Sequence, residues 1–282
     1  MVAPAAPLVS PIAAPSTPAG EDIILVKDLT VGYGDNIILQ NLNFSVKRGE
    51  IFVILGGSGC GKSSLLKNMI GLYEPPVGEV LIEGDNIVTA EGPERQQILT
   101  RFGVMYQQGA LFGSMNLLEN VRLFLEEYTT LSQDEMSLIA RCKLDLVGLL
   151  PFEAFMPSEI SGGMQKRAAI ARAMALDPDI LFLDEPSAGL DPITSAELDQ
   201  TILSISKNLG ITFVVVTHEL PSIYTIADRV IMLDKTTKGI IAEGQPQWLR
   251  DHSDVPLVRQ FFNRELHPPT NELASPANGL AY

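Results

Sequence analysis

The feature that most constrains the fold of this chain is a glycine-rich segment between an apolar run and a helical pattern. Residues 56–63 have the sequence Gly-Gly-Ser-Gly-Cys-Gly-Lys-Ser, which matches the pattern G-x-x-x-x-G-K-[ST]. The apolar run Ile51–Leu55 precedes this segment, and a helical stretch over Lys62–Ile70 follows it. A strand, a glycine loop and a helix in this order are typical of a loop whose backbone N–H groups converge on phosphate. The sequence therefore predicts a nucleotide-binding phosphate loop.

Each part of this loop has an expected task. Glycines permit the tight turn that points successive N–H groups inward. Lys62 is expected to reach the β- and γ-phosphates of ATP, and the Ser63 hydroxyl is expected to ligate Mg²⁺. The thiol of Cys60 lies near a helix N-terminus, where a lowered pKa is expected. The residues predicted to contact ATP here are Gly56, Gly57, Ser58, Gly59, Cys60, Gly61, Lys62, Ser63 and Ser64.

The remaining pattern alternates between strands and helices and predicts an α/β fold. Helical stretches are expected over Gly163–Leu176 and Thr194–Lys207, between apolar runs. This alternation favours a mostly parallel sheet covered by helices, as in a P-loop NTPase (RecA-like) core, with an antiparallel sheet formed by the runs before Ile51. The predicted strands are Ile23–Val26, Ile37–Val46, Ile51–Leu55, Glu79–Ile82, Val104–Tyr106, Ile180–Leu183, Phe213–Val216 and Val230–Leu233.

The middle of the chain, Leu117–Leu150, has a helical pattern and no strand runs, which predicts a helical subdomain. Ser132 and Glu135 have the spacing of a capping box. The helix that follows is expected to bury one face, with Cys142 in its core stripe. The residues predicted on that face are Leu138, Ile139, Cys142, Leu146 and Leu149.

Polar residues end several predicted strands, at the edge of an α/β sheet where ligands bind. Asp184 and Glu185 follow Ile180–Leu183; the first suits the Mg²⁺ shell and the second suits polarisation of the attacking water. His218 follows Phe213–Val216, where it could contact a γ-phosphate. Gln107 follows a third predicted strand, and by itself it indicates no particular function.

Composition limits the partners. The chain of 282 residues has 34 acidic and 20 basic residues, a net charge of -14, which disfavours nucleic acid as a bulk partner. No apolar run approaches the ~18 residues of a membrane span, which predicts a cytoplasmic or peripheral protein. The domain prediction is a disordered Ala/Pro-rich tail over 1–20, a nucleotide-binding domain over 21–250 with its helical subdomain at about 109–164, and a C-terminal extension with a mobile tail over 251–282.

A second Ser/Gly cluster, Ser161-Gly162-Gly163-Met164, opens the helix at Gly163. With it the chain resembles the ATP-binding-cassette (ABC) ATPases, whose motifs occur here in the family order from about Ile23 to Arg264. The departure is Met164, where the commonest signature has Gln. The resemblance implies the ABC nucleotide-binding fold, with adenine stacking by Tyr33, a glutamine loop at Gln107 that also serves the metal site, a D-loop ending at Asp191, and catalytic roles for Lys62, Gln107, Glu185 and His218. It also implies a head-to-tail dimer in which the signature Ser161–Met164 closes on the ATP of a second copy, with ATP and Mg²⁺ as cofactors.

Three segments sharpen the resemblance towards the ATPases of Mla/Mce-type lipid transporters: Gly109–Leu117, Pro157–Met164 and Val258–Phe261. This resemblance implies a motor subunit on the cytoplasmic face of the inner (cell) membrane. Its implied partners are transmembrane permease subunits, an Mce-domain lipid-binding protein and, in some members, a small STAS-domain protein. It also suggests that Val255–Arg264 contacts the other ATPase subunit or an accessory protein.

Other functions stay open at this point. One is the ATPase of an ABC importer for a small solute, and another is a non-transport ABC ATPase. The 54 positions from Gln107 to Ser161 (161 - 107 = 54) leave no room for the long coiled coil of chromosome-type proteins. A non-catalytic nucleotide-binding scaffold is disfavoured by the presence of both Glu185 and His218.

Overall fold

Two β-sheets and nine α-helices organise residues 20–34, 36–107 and 109–264, which the computed structural model of the chain describes. The strands are β1 (Asp22–Tyr33), β2 (Asn36–Lys47), β3 (Ile51–Gly56), β4 (Val77–Ile82), β5 (Asp85–Asn86), β6 (Phe102–Met105), β7 (Ile180–Asp184), β8 (Thr212–Val216), β9 (Arg229–Asp234) and β10 (Gly239–Gly244). The helices are α1 (Lys62–Met69), α2 (Gly92–Thr100), α3 (Leu117–Tyr128), α4 (Gln133–Leu146), α5 (Gly162–Ala173), α6 (Pro192–Leu209), α7 (Leu220–Ile226), α8 (Pro246–His252) and α9 (Pro256–Asn263).

The larger sheet has the strand order β10-β9-β3-β8-β7-β6. All neighbours are parallel except β10, which pairs antiparallel with β9. Strands β3, β7 and β8 are buried throughout and are apolar except for Asp184 and Thr212, because helices and the second sheet cover both faces. Alternate residues of β3 belong to two different hydrophobic cores. Val53 lies in the core shared with the helical region, and Phe52 lies in the core shared with the smaller sheet. The α/β fold with a mostly parallel sheet is confirmed.

The smaller sheet is antiparallel, in the order β2-β1-β4-β5, as the runs before Ile51 predicted. The sequence prediction missed β5 and β10. Strand β10 has only Ile240 and Ile241 as consecutive strong strand formers, and glycines end it on both sides. Its strand conformation comes from pairing with β9, which is a tertiary effect that a local pattern does not carry.

The region from Leu117 to Leu150 is helical, as predicted, and consists of α3, α4 and the start of a short 3-10 turn. The capping box of α4 is confirmed. The Ser132 hydroxyl accepts from the amide of Glu135 at 3.4 Å, and the Glu135 carboxylate accepts from the amide of Ser132 at 2.8 Å.

The predicted buried face of α4 is wrong. This helix packs into the core through Met136, Ala140 and Leu144, whereas Cys142 is exposed and Leu138 is 63% exposed. Helix α4 contacts α3 and α5, and these tertiary contacts select the face that is buried. Of the predicted stripe, Leu149 is buried, Ile139 is half-buried, and Leu138, Cys142 and Leu146 are exposed.

The C-terminal helices fold back onto the same chain. Helix α9 buries Val258 and Phe262, and the Tyr224 hydroxyl of α7 donates to the carbonyl of Phe262 at 3.1 Å. Of the predicted N-terminal tail 1–20 and the C-terminal extension and tail 251–282, residues 1–19 and 265–282 lie outside the described residues. Within the described part of the chain, no helix has the length and apolar content that a membrane crossing requires.

Candidate functional site

The phosphate loop connects β3 to α1 at the carboxyl edge of the larger sheet. Gly56 ends β3 with φ +152°, and a Cβ there would lie 2.5 Å from the carbonyl oxygen of Leu233. Gly61 precedes α1 in the left-handed region at φ +105°. Because neither position tolerates an ordinary side chain, glycine is required at both. The Lys62 Nζ donates to the carbonyls of Gly56 and Gly57 at 2.9 and 3.3 Å, so the ammonium curls over the loop that it follows.

The Cys60 side chain lies beneath the loop. It is 2% exposed and does not line the phosphate cavity described below. Burial raises the pKa of its thiol, and this effect outweighs the nearby positive charge of Lys62. The expectation of a lowered pKa is therefore wrong, because the helix N-terminus acts here on a desolvated sulfur.

A hydroxyl and a carboxylate from different elements lie in contact beside the loop. The Ser63 hydroxyl of α1 donates to the Asp184 carboxylate at the end of β7, at 3.1 Å. Burial raises the pKa of Asp184; the Ser63 bond opposes this shift and the charge of Glu185 adds to it. A hydroxyl and a buried carboxylate in contact are hard oxygen ligands of the kind that Mg²⁺ accepts, so the residues present fit that cation.

Glu185 and His218 form a pair across neighbouring strands β7 and β8. The His218 Nδ1 lies 2.9 Å from Oε1 of Glu185, while Oε2 is buried without a protein partner. Glu185 holds a left-handed backbone at φ +48°, and its amide donates to the carbonyl of Val216 at 2.8 Å. Strain of this kind persists where the surroundings fix the backbone, and here it turns a carboxylate away from the strand direction. The unsatisfied oxygen is suited to accept a proton from water.

Gln107 follows β6 and is exposed, and it lines the same cavity as Lys62 and Glu185. Its main-chain carbonyl accepts a hydrogen bond from the ammonium of Lys166 on α5. The next segment is held by α3: the amide of Asn120, fully buried, donates to carbonyls of Phe112, Met115 and Asn116 at 2.9–3.1 Å. The carbonyl of Gln107 and the backbone of the segment Phe112–Asn116 therefore have defined supports.

Tyr33 lies at the end of β1, next to α1. Its hydroxyl is 3.2 Å from the Ser64 hydroxyl, and its ring meets Tyr73 edge-on with a centroid distance of 5.5 Å. Tyr33 is 47% exposed, so part of its aromatic side chain is open to a planar ligand. Tyr33 is close to the loop without lining the phosphate cavity.

These elements enclose a cavity of about 820 Å³. It brings together Lys62, Ser63, Gln107, Glu185 and His218, which come from four separate stretches of the sequence. The sequence analysis missed Asn36, Ile38 and Phe261. Asn36 and Ile38 could be suspected from their nearness to Tyr33. Phe261 comes from the C-terminal helix α9; its segment Val258–Phe261 was part of the family resemblance, but a place in the phosphate cavity was not predicted for it.

The signature segment lies elsewhere on the chain. Ser161 caps α5, its hydroxyl accepting from the amide of Met164 at 3.2 Å. Asp191 caps α6 in the same manner, accepting from the amides of Ile193 and Thr194 at 3.0 and 3.1 Å. Gly162, Gly163 and the rest of the signature do not contribute to the described lining of the phosphate cavity, nor does Asp191. Within one chain, the N-terminus of α5 therefore lies outside the cavity that the phosphate loop forms at the N-terminus of α1.

A second cavity of about 320 Å³ lies between the larger sheet and the helical region. Its lining combines aromatic and aliphatic side chains with two arginines, both of which already donate to backbone carbonyls. The aromatic and aliphatic side chains include Leu72, Phe102, Tyr106, Phe124 and Tyr128.

Comparisons with known proteins agree with this geometry. The model of the ABC transporter family matches residues 39–188. The probable ribonucleotide transport ATP-binding protein mkl of Mycobacterium leprae is 44% identical over 240 residues, 85% of this chain and 68% of that protein. The intermembrane phospholipid transport system ATP-binding protein MlaF of Haemophilus influenzae is 39% identical over 249 residues, 88% of this chain and 93% of that protein. MlaF of Escherichia coli K12 is 39% identical over 242 residues, 86% of this chain and 89% of that protein.

Solved structures give the same fold. A dimeric post-hydrolysis state of the ATP-binding cassette MJ0796, bound to ADP and Pi, has a TM-score of 0.70 and 32% identity, covering 79% of this chain and 98% of its own. The cbiO1 protein of Clostridium perfringens, part of the ABC transporter complex cbiONQ, has a TM-score of 0.75 and 29% identity. The match covers 87% of this chain and 100% of the cbiO1 chain.

Proposed function

The chain belongs to the ABC transporter family and is an ATPase, and from this premise we propose that it is the motor of a membrane transporter for phospholipid or another lipid. The observation that carries the lipid assignment is similarity along almost the full length of the phospholipid transport subunit of H. influenzae, 93% of which is matched. The match extends well beyond residues 39–188, which the general family model covers. It therefore concerns more than the shared nucleotide-binding framework.

The residues of the cavity have distinct proposed roles. The loop amides and Lys62 bind the phosphates, since a glycine loop at a helix N-terminus favours negative charge. Tyr33 stacks on the adenine through its exposed face. Glu185 orients and deprotonates the attacking water through its unpaired oxygen, and His218 holds that carboxylate through the 2.9 Å contact and reaches the γ-phosphate. Gln107 senses the nucleotide at the edge of the cavity.

Mg²⁺ is the proposed metal cofactor, held by Ser63, Asp184 and Gln107. Of these, Ser63 and Asp184 are already in contact, and Gln107 lines the same cavity. When bound, the cation neutralises phosphate charge. The Asp184 carboxylate, whose pKa burial raises, gains a counter-charge at that position.

Dimerisation completes the site in this proposal. Ser161, Gly162, Gly163 and Met164 stand at a helix N-terminus that does not line the phosphate cavity of the same chain, so a second copy's ATP is their expected ligand. A head-to-tail dimer places each signature against the other chain's phosphate loop, with Asp191 near the seam. Hydrolysis then removes the γ-phosphate contacts and opens the dimer, which converts chemistry into motion.

The permease partner is expected at the apolar cavity beside the helical region. Leu72, Phe124 and Tyr128 are partly exposed there, although they are large and apolar. This contact would keep the protein on the cytoplasmic face of the inner membrane without a membrane span of its own. An Mce-domain lipid-binding protein and a small STAS-domain protein are the proposed further subunits.

The test is to purify the native complex from membranes, identify the co-purifying chains by mass spectrometry, and reconstitute the complex in phospholipid vesicles. ATP-dependent movement of a fluorescent phospholipid is the expected result. The matched control is Glu185→Gln, which keeps the complex and its ATP binding but removes turnover. Lipid movement equal in wild type and control would disprove that ATP hydrolysis drives it.

A second candidate cargo is a ribonucleotide, because the mkl protein that is 44% identical carries that description. The same vesicles distinguish the two cargoes. Uptake of a labelled ribonucleotide, together with a periplasmic solute receptor among the co-purified chains and no lipid movement, would support the solute importer and reject the lipid proposal.

A further inference from the structure

A buried lysine outside the known sequence motifs joins two parts of the site. Lys166 lies on α5, five positions after Ser161, and is only 8% exposed. Its ammonium donates to the main-chain carbonyl of Gln107. Burying an ammonium is costly unless it is hydrogen-bonded and its charge is compensated, so this placement requires a reason.

Charge compensation comes from the catalytic edge of the sheet. Burial lowers the pKa of Lys166, and the carboxylates of Asp184 and Glu185 oppose that shift by attracting the ammonium. The lysine therefore stands among the glutamine loop, the end of β7 and the signature helix. Moving any one of these three elements changes its surroundings.

Lys143 is a useful comparison because it is equally buried, at 8% exposed. Its ammonium pairs with the carboxylate of Asp177, away from the residues that line the phosphate cavity. A purely structural buried lysine in this chain thus takes a carboxylate partner. The hydrogen-bond acceptor of Lys166 is instead the backbone of the loop that carries a nucleotide-sensing side chain.

We propose that Lys166 is a positioning residue that ties Gln107 to the signature helix α5, so that the two elements move as one unit. When the N-terminus of α5 engages the ATP of the second copy, the tie moves the glutamine loop of its own site. The two ATP sites of a dimer are thereby coupled through each chain. This inference rests on the ATPase dimer of the proposed function and not on the lipid cargo.

The test compares Lys166→Met with Lys166→Arg, which keeps a donor, and with Lys143→Met as the matched buried-lysine control. The first readout is hydrogen exchange of the full chain without nucleotide. The reporter is the amide of Gly109, which donates to Tyr106 at 2.7 Å within the glutamine loop. The reference is the amide of Phe112, which Asn120 holds at 2.8 Å.

In Lys166→Met the Gly109 amide is expected to exchange about tenfold faster or more, the scale of a lost charge-assisted hydrogen bond, while Phe112 is unchanged. In ATPase assays the same variant should lower kcat and bring the Hill coefficient for ATP towards one, with little change in KM. Lys166→Arg should restore both readouts. Lys143→Met should lower the melting temperature without altering the Gly109 exchange or the Hill coefficient.

Unchanged Gly109 exchange and an unchanged Hill coefficient in Lys166→Met would overturn the proposal. Parallel changes in Lys143→Met would also overturn it, because they would reduce the role of Lys166 to general stability. If Lys166→Met does not fold, Lys166→Leu takes its place with the same expectations, since leucine has no donor for the Gln107 carbonyl. If the wild-type complex moves no lipid in vesicles but the Lys166 variants still show the expected changes in exchange and Hill coefficient, only the lipid cargo of the proposed function is refuted.

Discussion

The close approach of α5 to α6 gives a sharp test of how the signature segment is held. A Cβ built on Gly163 would lie 2.2 Å from Cγ2 of Thr194, and its next contact would be Cβ of Thr194 at 3.7 Å. Thr194 cannot turn its methyl away freely, because its hydroxyl donates to the Asp191 carboxylate at 2.5 Å. Gly163→Ala is therefore expected to clash with a single methyl group.

The magnitude follows from two opposing effects. Forcing an extra methyl into a packed contact costs about 1–3 kcal/mol. Alanine in a helix gains about 0.5–1 kcal/mol over glycine. Gly163→Ala should therefore destabilise the fold by about 1–2 kcal/mol. Thr194→Ser removes the clashing methyl and keeps the hydroxyl bond to Asp191, so in its presence the same substitution should be neutral or slightly stabilising.

The assay is urea unfolding of the wild type, both single variants and the double variant, without nucleotide. A coupling energy of about 1–3 kcal/mol between positions 163 and 194 is expected. In thermal melts each kcal/mol corresponds to about 2–4 °C for a chain of this size class. Additive effects, with the double variant as unstable as the sum of the singles, would refute the claim that the Thr194 methyl is what requires glycine at 163.

Three further predictions concern the site and its scaffold. Glu185→Gln should retain ATP binding, lose turnover by about 100-fold or more and accumulate an ATP-dependent dimer in size-exclusion chromatography; unchanged turnover would remove Glu185 from its role. Lys62→Ala should weaken ATP binding about tenfold or more by calorimetry, whereas Lys67→Ala, on the same helix, should not; equal effects of the two would contradict the phosphate-loop assignment. Arg229→Met should cost about 3–5 kcal/mol in urea unfolding, because it leaves buried Glu50 without the guanidinium that now contacts it at 2.7 and 3.0 Å; a loss below 1 kcal/mol would refute this.

The sequence predicted the elements whose causes are local. A run of apolar residues, the glycines of the phosphate loop and the helix after Gly61 follow from backbone sterics and hydrogen bonding within a few residues of each other. The carboxyl-edge rule for parallel strands predicted that Glu185 and His218 would lie at the ligand edge, and they pair across β7 and β8.

Helix α4 marks where local reasoning stops. Its wheel offers two apolar stripes, and the larger side chains favoured the one through Leu138 and Cys142. The fold buries the stripe through Met136, Ala140 and Leu144, because packing against α3 and α5 decides which face of the helix is inside. Hydrophobicity shows which faces of a helix could be buried, whereas packing against neighbouring elements decides which face is buried.

Other features depend on contacts between distant parts of the chain. Lys166 and Gln107 are 59 positions apart, and only the fold brings that ammonium to that carbonyl. Phe261 reaches the phosphate cavity because α9 folds back onto α7, which begins just after His218. A single sequence contains no spacing rule for such pairs.

The alternation of side chains along strand β7 limits which mutations this protein can tolerate. Asp184 pairs with Val216 in strict register, and successive residues of a strand point to opposite faces. Insertion or deletion of one residue anywhere in Ile180–Leu183 would exchange the sides on which the two carboxylates stand. Point substitutions among these apolar residues can be absorbed by repacking, but a change of length cannot. Mutational scanning should therefore find β7 permissive to conservative substitution and intolerant of every single-residue insertion and deletion.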